Sequence, residues 1–203
     1  MTPITPQEIK AILAKQGDVR GVVFQTDANY LSKYGPPDAL QKVEDKLKEW
    51  GVPFQYKQAA PLGWYPESWR TLSLLAVKEA LGWNDNQIRE MGKYAPKVSV
   101  IVKLFFKLFP DIEKFAQQIP HYWRKHHTSG DLVVVNIDKN KNIVTAHLKN
   151  FSFHPVVCKY LEGYFEQATK LTRPVDAQVV CQEIQCSFRD NTDYEVYQVH
   201  FSK

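Results

Sequence analysis

Three side chains near the C-terminus have the types and spacing of a metal site. Cys158 lies in a segment whose apolar residues have helical spacing, and Glu183-x-x-Cys186 lies in a β-rich segment. Thiolates and carboxylates are zinc ligands, so a helix and a strand that converge would bring three candidate ligands together. The sequence has no CxxC pair, and free cysteines otherwise behave as small buried hydrophobic residues. The residues alone leave both interpretations open.

A second set of potential ligands lies in the segment from His121 to His127, which also contains His126. An imidazole nitrogen can bind haem iron or another metal, and these side chains are therefore candidates for such a site. A solvated helix end would have the same composition. No Gly-rich phosphate loop, G-x-S-x-G or H-E-x-x-H motif occurs in the sequence, so we predict no enzymatic activity for this chain.

The overall composition excludes several classes of protein. The 203 residues include 26 Lys and Arg against 22 Asp and Glu, and these charges are dispersed, which argues against a nucleic-acid-binding protein. No run of 18 apolar residues occurs, so we predict no membrane span. Three cysteines, all late in the chain, do not form a secreted disulfide framework, and we expect a cytoplasmic protein. Aromatic residues reach 13%, enough for a core, a ligand pocket or an interface.

The elements that must position these side chains are mainly helical at first and then β-rich. Helical spacing and capping residues predict helices over 67–81, 84–94, 97–109, 111–127 and 155–171, among others. Alternation and turn residues predict strands over 52–57, 131–137, 143–149, 175–188 and 194–201. This order predicts an α+β fold in which helices precede an antiparallel sheet that contains one inserted helix. We divide the chain into an N-terminal helix, residues 1–17, and a single domain, residues 18–203.

Several short motifs follow one another along residues 18–201. They are Val19-Arg-Gly-Val-Val-Phe24, Tyr65-Pro66, Met91-Gly92-Lys93, Pro120-x-x-Trp123-Arg124, Gly130, Pro155-x-x-Cys158-x-x-x-x-Gly163 and Glu183-x-x-Cys186. Their order resembles the superfamily of haem–nitric-oxide-binding domains, 4-vinyl-reductase domains and TRAPP trafficking subunits. Within it, the chain is most similar to the bacterial branch related to the 4-vinyl-reductase domain.

The resemblance implies a hydrophobic cavity between the helices and the sheet, which binds small apolar or aromatic ligands, haem or acyl groups. It also implies a zinc site formed by a helix cysteine, a Glu-x-x-Cys pair and a later cysteine. Cys158, Glu183 and Cys186 match the first three ligands, but the fourth position falls near Tyr194, and no cysteine is present there. The haem-binding branch has a proximal histidine and a Tyr-x-Ser-x-Arg motif. His121 lies in the region of that histidine, whereas the motif does not occur.

We therefore predict a cytoplasmic sensory domain that binds a small apolar or aromatic ligand. Its pocket is walled by the helices over 67–81, 97–109, 111–127 and 155–171, and we expect the lining to include Tyr65, Trp69, Phe105, Phe109 and Trp123. Two alternatives are a homodimeric scaffold module of the TRAPP type and a haem-based gas sensor. An enzyme resembling the vinyl reductases is disfavoured, because no motif for a reductant cofactor is present.

Overall fold

The computed structural model describes residues 3–98, 112–174 and 176–202. The helices in these ranges are α1 (Pro6–Leu13), α2 (Val22–Tyr34), α3 (Ala39–Glu49), α4 (Glu67–Leu81), α5 (Asp85–Val98), α6 (Ile112–His126), α7 (Pro155–Lys170) and the short α8 (Ser187–Asp190), with a 3-10 turn at Tyr56–Gln58. The strands are β1 (Asp18–Arg20), β2 (Trp64–Pro66), β3 (Asp131–Asp138), β4 (Ile143–Lys149), β5 (Val179–Gln185) and β6 (Tyr194–Phe201).

Local side chains determine where several helices begin. Thr5 and Glu8 form a capping box at the start of α1, in which each side chain accepts a hydrogen bond from the other residue's backbone N–H. Asn84 and Gln87 form the same reciprocal pair ahead of α5, with distances of 2.9 and 3.1 Å. His154 begins α7, because its Nδ1 accepts the backbone N–H two residues later at 3.0 Å. These bonds satisfy N–H groups that have no partner within the helix.

The described strands form two antiparallel sheets. β1 pairs with β2, and the larger sheet has the order β3-β4-β6-β5, with α7 inserted in the chain between β4 and β5. This arrangement confirms the predicted α+β fold and its antiparallel sheet. Within the described ranges, no helix is long and apolar enough to cross a membrane.

The structure corrects the predicted strand over residues 52–57. This segment pairs with no described strand and ends in the 3-10 turn that begins at Tyr56. Phe54 and Tyr56 are buried, and the Tyr56 hydroxyl lies 2.6 Å from the hydroxyl of Ser73 on α4. Tertiary burial therefore explains the apolar character of the segment.

Of the predicted helix over 97–109, the first two residues end α5, and the others lie outside the described residues.

Helix α7 covers the edge of the larger sheet that is formed by β5. Glu162 accepts the backbone N–H of Glu183 at 2.8 Å, and Glu166 accepts that of Cys181 at 3.2 Å. β5 is the last strand of the sheet, so these N–H groups have no neighbouring strand as a partner. Arg89 on α5 contacts the same Glu166 carboxylate at 2.6 Å. The glutamates therefore join α5, α7 and β5 and block further strand pairing at this edge.

The crossing of α5 and α7 depends on two glycines. A Cβ atom added at Gly92 would lie 2.0 Å from the carbonyl oxygen of Tyr160, and one at Gly163 would lie 1.9 Å from that of Arg89. Both distances are far below van der Waals contact, so only glycine permits this approach of the two backbones. The crossing fixes α7 between the helical layer and the sheet.

Candidate ligand cavity and metal centre

An apolar cavity of about 160 Å³ lies between the helices and the larger sheet. Its wall comes from α2, α4, α5, α6, α7 and strands β3, β4 and β6, and its aliphatic part includes Leu74, Ala116, Leu132, Val144, Leu161 and Val199. An engineered protein cavity of roughly 150 Å³ binds benzene. The space therefore accommodates a molecule with a single aromatic ring.

One part of the wall is polar and contains a histidine–carboxylate pair. Nδ1 of His127, directly after α6, lies 2.9 Å from a carboxylate oxygen of Glu67, the first residue of α4. The imidazole stacks on Trp123 with ring centroids 4.0 Å apart, and Trp123 donates its indole N–H to the carbonyl of Ser129. Because a carboxylate can only accept, Nδ1 carries the proton, and in the neutral form of the ring Nε2 is an acceptor.

His126 is a second imidazole in the cavity wall. Burial and the smaller effects of the neighbouring groups His127, Arg20 and Lys125 together lower its pKa from 6.5 to about 4. Its ring packs on Tyr122 with centroids 4.8 Å apart. At neutral pH this side chain is therefore uncharged, with one ring nitrogen able to accept a hydrogen bond or bind a metal.

A buried ion pair forms another polar part of the wall. Arg70 on α4 contacts Asp27 on α2 with N···O distances of 3.0 and 3.3 Å, and both side chains are almost completely buried. The guanidinium lies over the Tyr160 ring, 4.4 Å from its centroid. Arg70 and Tyr160 line the cavity, and the Tyr160 hydroxyl is buried beside the ion pair. Positive charge, negative charge and a hydroxyl therefore lie together at this part of the wall.

The structure brings Cys158, Glu183 and Cys186 together, as a metal site requires. One candidate ligand atom from each residue lies within 4.8 Å of the other two, and both cysteines are buried. Cys158 lies on α7, and the other two residues lie in and directly after β5. Within the described part of the chain, these three residues form a group of cysteine and acidic side chains that are close enough together to hold a metal ion.

An irregularity in β5 makes this convergence possible. Side chains three residues apart in a regular strand point to opposite faces of the sheet. The pairing of β5 with β6 shifts by one residue between Glu183 and Gln185. This β-bulge reverses the alternation, so Glu183 and Cys186 are both directed toward α7. The Glu-x-x-Cys spacing is compatible with a strand only because of the bulge.

The metal-site group lacks a compensating positive charge of its own. Burial raises the pKa of the Cys158 thiol, and the adjacent Glu183 carboxylate raises it further. Burial also raises the pKa of Glu183, although the two cysteines and Lys159 oppose the shift. One Glu183 oxygen is buried without a hydrogen-bond partner. A bound divalent cation would supply the missing charge and the missing contact.

Solved structures with the same architecture include an H-NOX protein from S. oneidensis in the Fe(II)NO ligation state. The identity is 12%, the TM-score is 0.66, and the match covers 91% of this chain and 99% of that one. A structure from work on the molecular mechanism of H-NOX activation has 16% identity and a TM-score of 0.58, and the match covers 91% of this chain and 97% of that one. This chain has the H-NOX fold. No protein-family model matches the sequence, and a search of curated proteins finds no match.

The H-NOX fold confirms the haem–nitric-oxide-binding part of the resemblance at the level of architecture. At these identities the comparison concerns the fold, and function must be argued from the site. Similarity to the 4-vinyl-reductase domains and the TRAPP subunits stays a prediction.

The predicted lining residues have different locations in the H-NOX fold. Trp123 lies in the cavity wall. Tyr65 and Trp69 pack around the buried Phe54, at centroid distances of 5.9 and 6.1 Å, and are not among the described residues of the wall. Phe105 and Phe109 lie outside the described residues. His121 is exposed on α6.

Sequence reasoning missed the charged residues of the wall. Glu67, Arg70 and Leu74 share one face of α4 at spacings of i, i+3 and i+7, and all three line the cavity. The presence of two charged residues on the same face of α4 as Leu74 was the sequence signal that could have identified them as wall residues. Their partners Asp27 and His127 are distant in sequence, so only the folded structure shows that the charges are paired.

Proposed function

We propose that this chain is a sensory domain that binds a small, mostly apolar ligand in the cavity between the helices and the sheet. The observation that carries the proposal is an apolar cavity whose wall also contains specific polar groups. Ligand sites combine these properties, because apolar walls provide affinity and a few polar groups determine orientation. The absence of a catalytic motif from the sequence also favours binding without turnover.

The polar groups define the chemistry of the ligand. In the neutral form of His127, the Glu67–His127 pair offers an imidazole acceptor, and Arg70 is already neutralised by Asp27. A ligand with one hydroxyl or amine donor suits this wall, whereas a ligand carrying a net charge would be desolvated without a free counter-charge from these residues. We therefore expect a single-ring molecule with one hydrogen-bond donor to bind better than its hydrocarbon analogue.

Toluene and benzyl alcohol test this preference, because they differ by one hydroxyl group. We expect both to raise the thermal unfolding midpoint, benzyl alcohol more strongly, and we expect His127→Leu to remove the difference between them. Ala146→Phe fills the cavity and should abolish both effects, whereas Val180→Phe on the exposed face of β5 should preserve them. If neither ligand stabilises the wild-type protein at concentrations that saturate cavity binding elsewhere, the proposed site is wrong.

Haem is a second candidate ligand, favoured by the H-NOX fold and by His126. The neutral imidazole of His126 is suited to hold the iron. Haem also carries two propionates, which need cationic partners. Among the described residues of the wall, Arg70 is the one lysine or arginine side chain, and Asp27 already pairs with it. The described residues therefore fit the axial ligand and do not fit the propionates. Titration with haemin tests this candidate. A Soret band that appears with the wild-type protein and is lost in His126→Ala would support haem binding and contradict the small-ligand proposal.

We also propose that Cys158, Glu183 and Cys186 bind a structural zinc ion. Two buried thiols and a carboxylate with a free oxygen support this assignment. Metal analysis of the purified protein should find one zinc per chain, and Cys158→Ser should remove it. Cys181→Ser is the matched control, because Cys181 is equally buried but lies outside the group. Zinc retained by Cys158→Ser, or absent from the wild-type protein, would refute the assignment.

A further inference from the structure

The proposed metal site has three protein ligands, and a structural zinc site normally has four. The sequence resemblance places the fourth position near Tyr194, but that side chain stacks on His147 with ring centroids 4.8 Å apart. Tyr194 and Tyr197 are three residues apart on β6, so they point to opposite faces of the sheet. Tyr194 therefore cannot complete a site on the face that Tyr197 occupies.

Tyr197 lies directly opposite Glu183 in the pairing of β5 with β6. Directly opposite residues of antiparallel strands project to the same face, with Cβ atoms roughly 4.5–5.5 Å apart. The Tyr197 side chain is completely buried, and its ring contacts Phe165 of α7 at a centroid distance of 5.0 Å. The side chain thus extends from the sheet toward the helix that carries Cys158.

The hydroxyl oxygen of Tyr197 is buried beside the Cys158 thiol. The Cys158 thiol and the Glu183 carboxylate lie near enough to raise the pKa of Tyr197, after the larger effect of burial. A second atom of the same group, Glu183 Oε1, is also buried, and it has no hydrogen-bond partner. Burial of a polar atom without a full set of partners is unfavourable. Two buried oxygens beside two thiols define a position that a cation would fill.

We propose that Tyr197 is the fourth protein ligand of the metal bound by Cys158, Glu183 and Cys186. On coordination, the phenol O–H bond breaks, an oxygen–metal bond forms and the proton is released to solvent. The nearby Glu195 is a weaker candidate, because its carboxylate already accepts the hydroxyl of Ser187 at 2.7 Å. The site therefore has two sulfur and two oxygen donors. This inference rests on the metal site proposed above.

The test compares metal-free wild-type protein with Tyr197→Phe, which removes only the hydroxyl. Addition of zinc should give the ultraviolet difference spectrum of tyrosinate in the wild-type protein and not in this variant. Cobalt in place of zinc should give a tetrahedral spectrum that Tyr197→Phe changes. Zinc affinity should fall at least about tenfold, the lower limit seen for loss of an outer-shell partner.

Tyr194→Phe and Glu195→Gln are the matched controls, and both should retain the tyrosinate and cobalt spectra. Unchanged spectra and affinity in Tyr197→Phe would overturn the inference while leaving the three-ligand site in place. Failure of the wild-type protein to bind zinc or cobalt would instead overturn the metal site itself. If Tyr197→Phe does not fold, the absence of the tyrosinate spectrum from the wild-type protein overturns the inference, and a spectrum that Tyr194→Phe retains supports it.

Discussion

Replacement of His126 by glutamine should remove part of the acid sensitivity of the fold. Burial lowers the pKa of His126 from 6.5 to about 4 in the folded chain. The unfolded chain therefore takes up a proton at higher pH than the folded chain does. The resulting stability is fully present above 6.5 and is lost as the pH falls toward about 4. The difference between these pKa values corresponds to an upper limit of about 3 kcal/mol.

Urea unfolding from neutral pH down to about 4 measures this contribution. We expect the wild-type protein to lose up to about 3 kcal/mol more than His126→Gln over this interval. His121→Gln is the matched control, because His121 is exposed on the same helix and should leave the pH dependence unchanged. Measurements in the presence of a chelator keep metal loss from adding to the effect. Equal pH dependence in the wild-type protein and His126→Gln would refute the reasoning that the imidazole is buried and neutral.

The remaining predictions concern the ion pair, the helix crossing and the metal centre. Asp27→Asn or Arg70→Met alone should each cost about 3–5 kcal/mol in urea unfolding, because each leaves a buried partner unpaired. The double variant should cost less than the sum, and strict additivity would contradict the pairing. Gly163→Ala should destabilise the chain by at least about 1–3 kcal/mol, because its Cβ would meet the Arg89 carbonyl. A chelator should lower the unfolding midpoint of the wild-type protein and leave that of Cys158→Ser unchanged.

The elements that were predictable have local causes. The helix predicted over residues 67–81 has the same bounds in the structure. Its end was predictable because Gly82, directly after it, adopts the left-handed conformation that ends helices. The capping pair Asn84 and Gln87 acts through neighbouring residues, and it was recognisable for the same reason. Residues 52–57 were assigned wrongly, because β-rich composition does not reveal whether a partner strand is present.

The candidate site was predictable where a spacing implies chemistry. Cys158, Glu183 and Cys186 were selected from the sequence, and the structure brings them together. The bulge that aligns Glu183 with Cys186 has no separate sequence signal, and Tyr197 is recognisable only through its pairing with Glu183. The polar wall of the cavity was missed because Glu67 and His127 are 60 positions apart. Such pairs arise from tertiary structure.

The most direct test of the central claim is the methyl NMR spectrum of the protein during titration with toluene. Leu74, Leu132 and Leu161 line the cavity, whereas Leu31 and Leu47 are buried elsewhere in the core. We predict saturable shifts of the first three residues and unchanged signals from the other two. Unchanged cavity methyl signals, or shifts spread over the whole protein without saturation, would contradict the claim that this cavity is a ligand-binding site.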